Sequence, residues 1–116
     1  MKIIKLLTLA CLTLVCLTTF AQKSKWEKAN FQVSGNCDMC KTKIEKAATG
    51  IEGVKTARWN VVNGKMKVKF NPAITNTEKI QQIIASIGYD TEKNKATDEA
   101  YNKLHHCCKY ERKQYN

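Results

Sequence analysis

Apolar residues recur along this chain with two different periods, and the switches between them outline its elements. Ala29, Phe31 and Val33 alternate with Asn30, Gln32 and Ser34, which predicts a half-buried strand broken by Gly35-Asn36. From Met39 to about Ala48 the spacing turns helical, with Ile44, Ala47, Ala48 and then Ile51 on one side and Gly50 and Gly53 at the exit. Residues 54–62 predict a second strand with Ala57, Trp59 and Val61 inward. Asn63-Gly64 then predicts a type I′ hairpin, whose positive φ angles suit that pair. The third strand, residues 65–70, puts Met66, Val68 and Phe70 on one face and Lys65, Lys67 and Lys69 on the other. Asn71-Pro72 ends it. Thr77 is placed to cap a helix with Ile80, Ile83, Ile84 and Ile87 as its stripe, and Gly88 stops that helix. Residues 89–93 predict a short edge strand.

Strand, helix, strand, strand, helix, strand is the order of an α+β, ferredoxin-like split βαβ fold (βαββαβ): an antiparallel sheet with two helices on one face. A tail follows. Thr97-Asp98-Glu99 reads as a helix start, with acidic residues at the positive end, and the helix is expected to run through Tyr101 and Leu104 to "HHCCKY". The expected organisation is a signal peptide at 1–21, a flexible N-terminus at 22–28, the folded domain at 29–95 and a His/Cys-containing helical tail at 96–116.

The leader changes the reading of everything after it. Lys2 and Lys5 precede an apolar run from Leu6 to Phe20, and Thr19-Phe20-Ala21 places small residues three and one before a cut. The run is short for a membrane span, so export to the periplasm or outside the cell, without stable membrane insertion after cleavage, is expected. Lipid attachment at Cys11 or Cys16 fits the preceding Thr-Leu-Ala and Thr-Leu-Val poorly. Losing Lys2 and Lys5 takes the net charge of +10 down by two and leaves a strongly basic protein. Such a field favours acidic partners, anionic surfaces or nucleic acid. The open sheet face shows Asn30, Gln32, Arg58, Asn60, Lys65, Lys67 and Lys69 without an aromatic ring for base stacking, which argues against nucleic acid.

Four cysteines survive cleavage: Cys37, Cys40, Cys107 and Cys108. Each pair is local, so neither closes a long loop, and a purely structural disulfide would gain little entropy. Cys37 and Cys40 sit at a predicted helix N-terminus, where the dipole lowers a thiol pKa and enriches the thiolate that binds metal. Two soft thiolates with no required third ligand suit Cu(I) above all and Hg(II) by the same softness, whereas a closed Zn(II) site needs four ligands. A thioredoxin-type redox pair is the competing reading, but that fold needs more chain and a proline facing the pair, and the lone Pro72 precedes the second helix.

The first strand, Cys-x-x-Cys at the start of a helix, "IEGV", the hairpin and Gly-Tyr after the second helix resemble the heavy-metal-associated domain family over about residues 29–95. That family includes copper chaperones, metal-binding domains of copper ATPases and periplasmic mercuric-ion-binding proteins. The resemblance implies a non-enzymatic carrier or sequestering protein. It implies Cys37 and Cys40 as metal ligands, Tyr89 near the metal loop, and a metal donor or acceptor in the cell envelope as partner. The ion is expected to be Cu(I), with Hg(II) or Zn(II) as alternatives; mercuric-ion scavenging and thiol–disulfide exchange are the alternative functions. Two-thiolate sites also permit a metal-bridged dimer. The family pattern Gly-Met-x-Cys-x-x-Cys is broken, since Ser34, Gly35 and Asn36 stand at its first three positions. The methionine that pins the loop is missing, so a looser loop is expected.

Auxiliary ligands are expected from Met39 inside the motif and from His105, His106, Cys107 and Cys108, since short His/Cys tracts often bind metal. Lys41, Lys43 and Lys46 follow the clamp, as a solvated helix face or, for Lys41, as support to the thiolates. A returning helix over residues 97–106, roughly 15 Å long at 1.5 Å per residue, would bring the tail cysteines back to the clamp; a disordered tail is the competing expectation.

Overall fold

The computed structural model describes residues 25–112. The leader expected over 1–21, with Cys11 and Cys16, lies outside them, as do residues 22–24 and 113–116. In chain order the elements are β1 (Glu27–Gln32), α1 (Asp38–Thr49), β2 (Val54–Trp59), β3 (Lys65–Phe70), α2 (Thr77–Ser86), α3 (Asp98–Asn102) and a 3₁₀ turn at His106–Cys108. β1 begins two residues before its apolar alternation does, because Glu27 and Lys28 pair with Phe70 and Lys69.

The three strands form an antiparallel sheet in the order β1-β3-β2. Met66 is flanked by Phe31 and Trp59, and Val68 by Ala29 and Ala57. These alternate residues face the helices, where Ile44, Ala48, Ile80 and Ile84 close the core. Lys65 and Lys67 take the solvent side. This is the predicted α+β, ferredoxin-like arrangement.

The predicted fourth strand is reduced to one bridge, Val33 to Thr91, flanked by bonds from Ser34 N to Asp90 O (2.8 Å) and Glu92 N to Gln32 O (2.9 Å). Thr91 then curls the chain away. Its N–H donates to Asn94 O at 2.7 Å, and its Oγ1 accepts from Asn94 N at 3.0 Å.

The hairpin also differs. β2 stops at Trp59 and the turn is longer than type I′: Gly64 N donates to Asn60 O at 2.8 Å and Asn60 N to Lys65 O at 3.0 Å. Only Gly64 is left-handed there (φ 72°). Asn60 Oδ1 accepts from both Val62 N and Asn63 N, so a side chain organises the turn and Val61, expected inward, is 40% exposed. Asn76, rather than Thr77, caps α2 by accepting from Lys79 N at 2.8 Å.

The tail does not form one long helix. Thr97 caps α3 as expected, accepting from Ala100 N at 3.1 Å, but α3 ends at Asn102. His105 is extended and the 3₁₀ turn follows. Leu104, Cys108 and Tyr110 are all buried. On a continuous helix, residues two apart point roughly 200° away from one another, so Cys108 and Tyr110 reach the interior together only where the helix is abandoned. The tail lies against Gly88, where an added Cβ would sit 2.8 Å from Ala100 O. Its φ of +110° also favours glycine.

Candidate metal centre

Cys37 is the N-cap of α1, with extended backbone (φ −155°, ψ 173°) and no oxygen-bearing side chain to satisfy the first turn's amides. No side-chain hydrogen bond caps that end of the helix. Cys40, one turn further on, is fully buried against the core beside Ile44. The two Sγ atoms are 3.4 Å apart and both are free thiols. Cys40 donates to Asn36 Oδ1 at 3.2 Å.

The tail brings a third sulfur. Cys37, Cys40 and Cys108 have Sγ atoms that all lie within 4.8 Å of one another, and Cys108 is fully buried. The polypeptide around Cys108 faces the clamp too: Cys37 Sγ is 3.5 Å from Cys107 O, and Cys40 Sγ is 3.9 Å from Cys108 O. Cys107 is outside this group and half-exposed. Its Sγ contacts Met39 Sδ (3.5 Å), His105 Nδ1 (3.2 Å) and Cys108 Sγ (3.9 Å). His106 is exposed and its ring packs against that of His105 at 4.3 Å between centroids. Lys41 is exposed and lines a shallow basic groove with Arg58, Lys65 and Lys67; none of its described contacts is a hydrogen bond to the thiols.

Two aromatic residues shape the pocket. Tyr89 is fully buried and its hydroxyl has no hydrogen-bond partner among the described residues. Burial, and then the Cys108 and Cys40 thiols it faces, push its pKa far above the usual phenol range. Trp59 occupies the space beside the loop: a Cβ on Gly35 would lie 2.9 Å from Trp59 Cη2 and 3.4 Å from Cys40 Cβ. Its Nε1 donates to Val33 O (3.0 Å) and Gly64 O (3.1 Å). The space a methionine at position 35 would need is thus taken by the indole. The buried indole packs in the core and ties β1 to the hairpin.

The thiols are electrostatically unequal. Backbone N–H groups, that of Cys40 foremost, hold the Cys37 pKa below the ordinary thiol value despite some burial. Burial pushes Cys40 up to about 11, and burial likewise raises Cys108. The arrangement is one thiolate-prone sulfur at the rim and two protonated ones beneath it, which a soft cation can deprotonate in exchange for sulfur ligation.

The residues that hold the tail in place escaped the sequence reading. Arg112 donates from Nε to Asp90 Oδ2 (3.0 Å), from Nη2 to Asp90 Oδ1 (2.8 Å) and to Ala96 O (2.6 Å), and from Nη1 to Asp98 Oδ1 (2.7 Å). The Tyr110 hydroxyl donates to Gly88 O (2.9 Å) and accepts from Asp90 N (2.8 Å). Tyr101 donates to Tyr110 O at 2.6 Å. The available signal was the spacing of Leu104, Cys108 and Tyr110 and a rare arginine among lysines.

Residues 31–90 match the heavy-metal-associated domain. A copper chaperone of Enterococcus hirae is 36% identical over 66 residues, which cover 56% of this chain and 96% of that protein. A copper-transporting ATPase of Oryza sativa is 35% identical over 65 residues, 55% of this chain but 6% of the ATPase. Among solved structures, oxidized MerP from Ralstonia metallidurans has a TM-score of 0.55 at 25% identity, with 60% of this chain and 99% of that one covered. The chain thus spans nearly all of a small chaperone and a small fraction of the ATPase.

Proposed function

The chain belongs to the heavy-metal-associated domain family, and on that premise we propose that it is an exported Cu(I)-binding protein that holds the ion between Cys37, Cys40 and Cys108. The carrying observation is the group of three free sulfurs within 4.8 Å, two of them fully buried. A group of three thiolates, the one such group of His, Cys, Asp and Glu among the described residues, matches the low coordination Cu(I) accepts, while a closed structural Zn(II) site takes four ligands. The likeness to copper chaperones supports the same ion. The likeness to oxidized MerP supports Hg(II) as the second reading, since Hg(II) is equally soft.

A third ligand from the tail favours holding over handing on. A partner's thiol attacking at the rim would meet Cys37 first, but the ion leaves only when Cys108 and Cys40 also let go. The protein is thus a sequestering carrier of the cell envelope, with a metal donor or acceptor as partner and export supplied by the leader. The ion is cargo and no bond-making reaction on a substrate is involved.

The test is an anaerobic Cu(I) titration of the reduced chain against a competing chelator, beside Cys37→Ser/Cys40→Ser and Cys108→Ser. The double variant should lose tight binding. Cys108→Ser should retain binding at reduced affinity and release Cu(I) faster. Unchanged affinity in Cys108→Ser would remove the tail from the site, and unchanged affinity in the double variant would defeat the copper reading. Catalytic disulfide turnover in insulin reduction would point to the oxidoreductase reading instead.

A further inference from the structure

The inner group leaves Cys107 unused, yet Cys107 has soft company of its own. Met39 Sδ lies 3.5 Å from its sulfur and His105 Nδ1 lies 3.2 Å from it. Met39 is 44% exposed on a helix whose other face buries Cys40 and Ile44, so core packing gives no reason for a methionine there. His105 adopts an extended backbone (φ −55°, ψ 145°) between α3 and the 3₁₀ turn. Two elements far apart in sequence therefore bring a thioether, an imidazole and a thiol to one exposed spot.

We propose that Met39, His105 and Cys107 form a second, outer site for a soft monovalent ion of the Cu(I) type, at the mouth of the inner one. Thioether, thiolate and imidazole are donors that Cu(I) accepts, and hard cations such as Mg(II) or Ca(II) do not seek them. Metal–sulfur bonds of about 2.3 Å and metal–nitrogen bonds of about 2.0 Å put donors in one coordination shell roughly 3.5–4 Å apart. The two spacings already present need only small side-chain rotations outward. One thiolate balances the charge of one monovalent ion, so the outer complex is neutral. Cys107 Sγ is 3.9 Å from Cys108 Sγ, a ligand of the proposed inner site. An ion captured outside is therefore one ligand exchange from the buried thiolates: Cys108 joins the ion as Met39 or His105 leaves, and the Cys108 proton passes to solvent. The existence of the outer site is independent of the inner one; its role as the way in rests on the proposed function.

Ag(I), a redox-inert Cu(I) probe, added to the reduced chain without its leader, residues 22–116, carrying ¹³C-methyl methionine, separates the two sites. The first equivalent should leave the Met39 methyl resonance nearly unmoved, and the second should shift it together with the His105 ring signals. Met39→Leu/His105→Ala changes two exposed side chains, so the fold stands. It should lower the stoichiometry from two to one without weakening the first equivalent, and should slow loading of the inner site. In Cys37→Ser/Cys40→Ser a single equivalent should still bind and shift Met39, which would support the outer site whatever became of the inner reading. A Met39 methyl and His105 ring that stay unmoved through two equivalents would overturn the proposal, and so would full stoichiometry in Met39→Leu/His105→Ala.

Discussion

Arg112 grips Asp90 with two parallel hydrogen bonds, Nε to Oδ2 at 3.0 Å and Nη2 to Oδ1 at 2.8 Å, across 22 residues of chain. Asp90 is 1% exposed and leads out of the Gly-Tyr turn, while Arg112 comes four residues after Cys108. The pair therefore fixes where Cys108 can be. Arg112→Met should strand a buried carboxylate and cost about 3 kcal/mol, near the low end for a broken buried pair because the guanidinium keeps 21% of its surface in water. It should also weaken metal binding toward the level of Cys108→Ser. Urea unfolding and Cu(I) competition check both effects, and a variant as stable and as tight-binding as the wild type would show that the pair does not position the tail.

The same pair sets a pH limit on tail docking. Burial raises the Asp90 pKa, but the Arg112 bonds and the Ala96 N–H outweigh burial, and the carboxyl ends below its ordinary value. A group whose folded pKa is lowered contributes its stability above the unfolded pKa, about 4, and loses it as the pH falls through the folded value. Docking should therefore be undiminished from neutral pH down to about 4 and fail only below that. Amide exchange of residues 104–110 followed against pH is the measurement, and loosening centred near pH 6 would rule Asp90 out as the cause.

At the loop, Gly35 and Trp59 exclude one another's enlargement. A Cβ on Gly35 would stand 2.9 Å from the indole, and methionine would project further into it. Gly35→Met, which restores the residue type the family pattern expects, should destabilise by about 1–3 kcal/mol through overpacking. Trp59→Leu should also destabilise, through lost volume and the lost bonds to Val33 O and Gly64 O. The double variant should be less unstable than the sum of the two, because the methionine fills the vacated space. Thermal unfolding of the four proteins measures the coupling; additivity would mean the two residues do not share that volume.

Period-two and helical spacing made the sheet and both main helices legible, since Phe31, Met66, Val68, Ile44, Ile80 and Ile84 are buried where the pattern placed them. The Cys37–Cys40 pair at a helix start was legible for the same local reason. What escaped was set by interactions across long stretches of chain. The fourth strand shrank because Thr91 turns on Asn94, and the type I′ turn was displaced by the Asn60 side chain. The tail read as one helix because propensity carries no account of Arg112, Tyr110 and Gly88 drawing it onto the domain.

The inequality of the thiols has a kinetic consequence. Thiolate is the reactive form, and of the three clustered sulfurs only Cys37 has its pKa lowered, while Cys40 sits at about 11. In the reduced, metal-free chain near neutral pH, Cys37 should be alkylated well before Cys40 and Cys108. Raising the pH should accelerate Cys40 only as it nears 11. Peptide mapping by mass spectrometry after a short iodoacetamide pulse reads the order. Earlier labelling of Cys40 would show that the first-turn amides do not stabilise the Cys37 thiolate.

Tyr89 gives the sharpest separation between the empty and loaded states. Its hydroxyl is buried with no partner among the described residues, which costs free energy in the metal-free protein, on the order of 1–3 kcal/mol for a polar group of this kind. The groups it faces are the Cys40 and Cys108 sulfurs, weak acceptors as thiols and much stronger ones as thiolates. Tyr89→Phe should therefore stabilise the metal-free chain while weakening Cu(I) binding, because the donor is lost only where the thiolates need it. Opposite signs in the two measurements distinguish this role from mere packing, which the phenyl ring preserves. Loss of stability in the metal-free Phe variant, or unchanged Cu(I) affinity, would refute it. A purely structural tyrosine would move both quantities together.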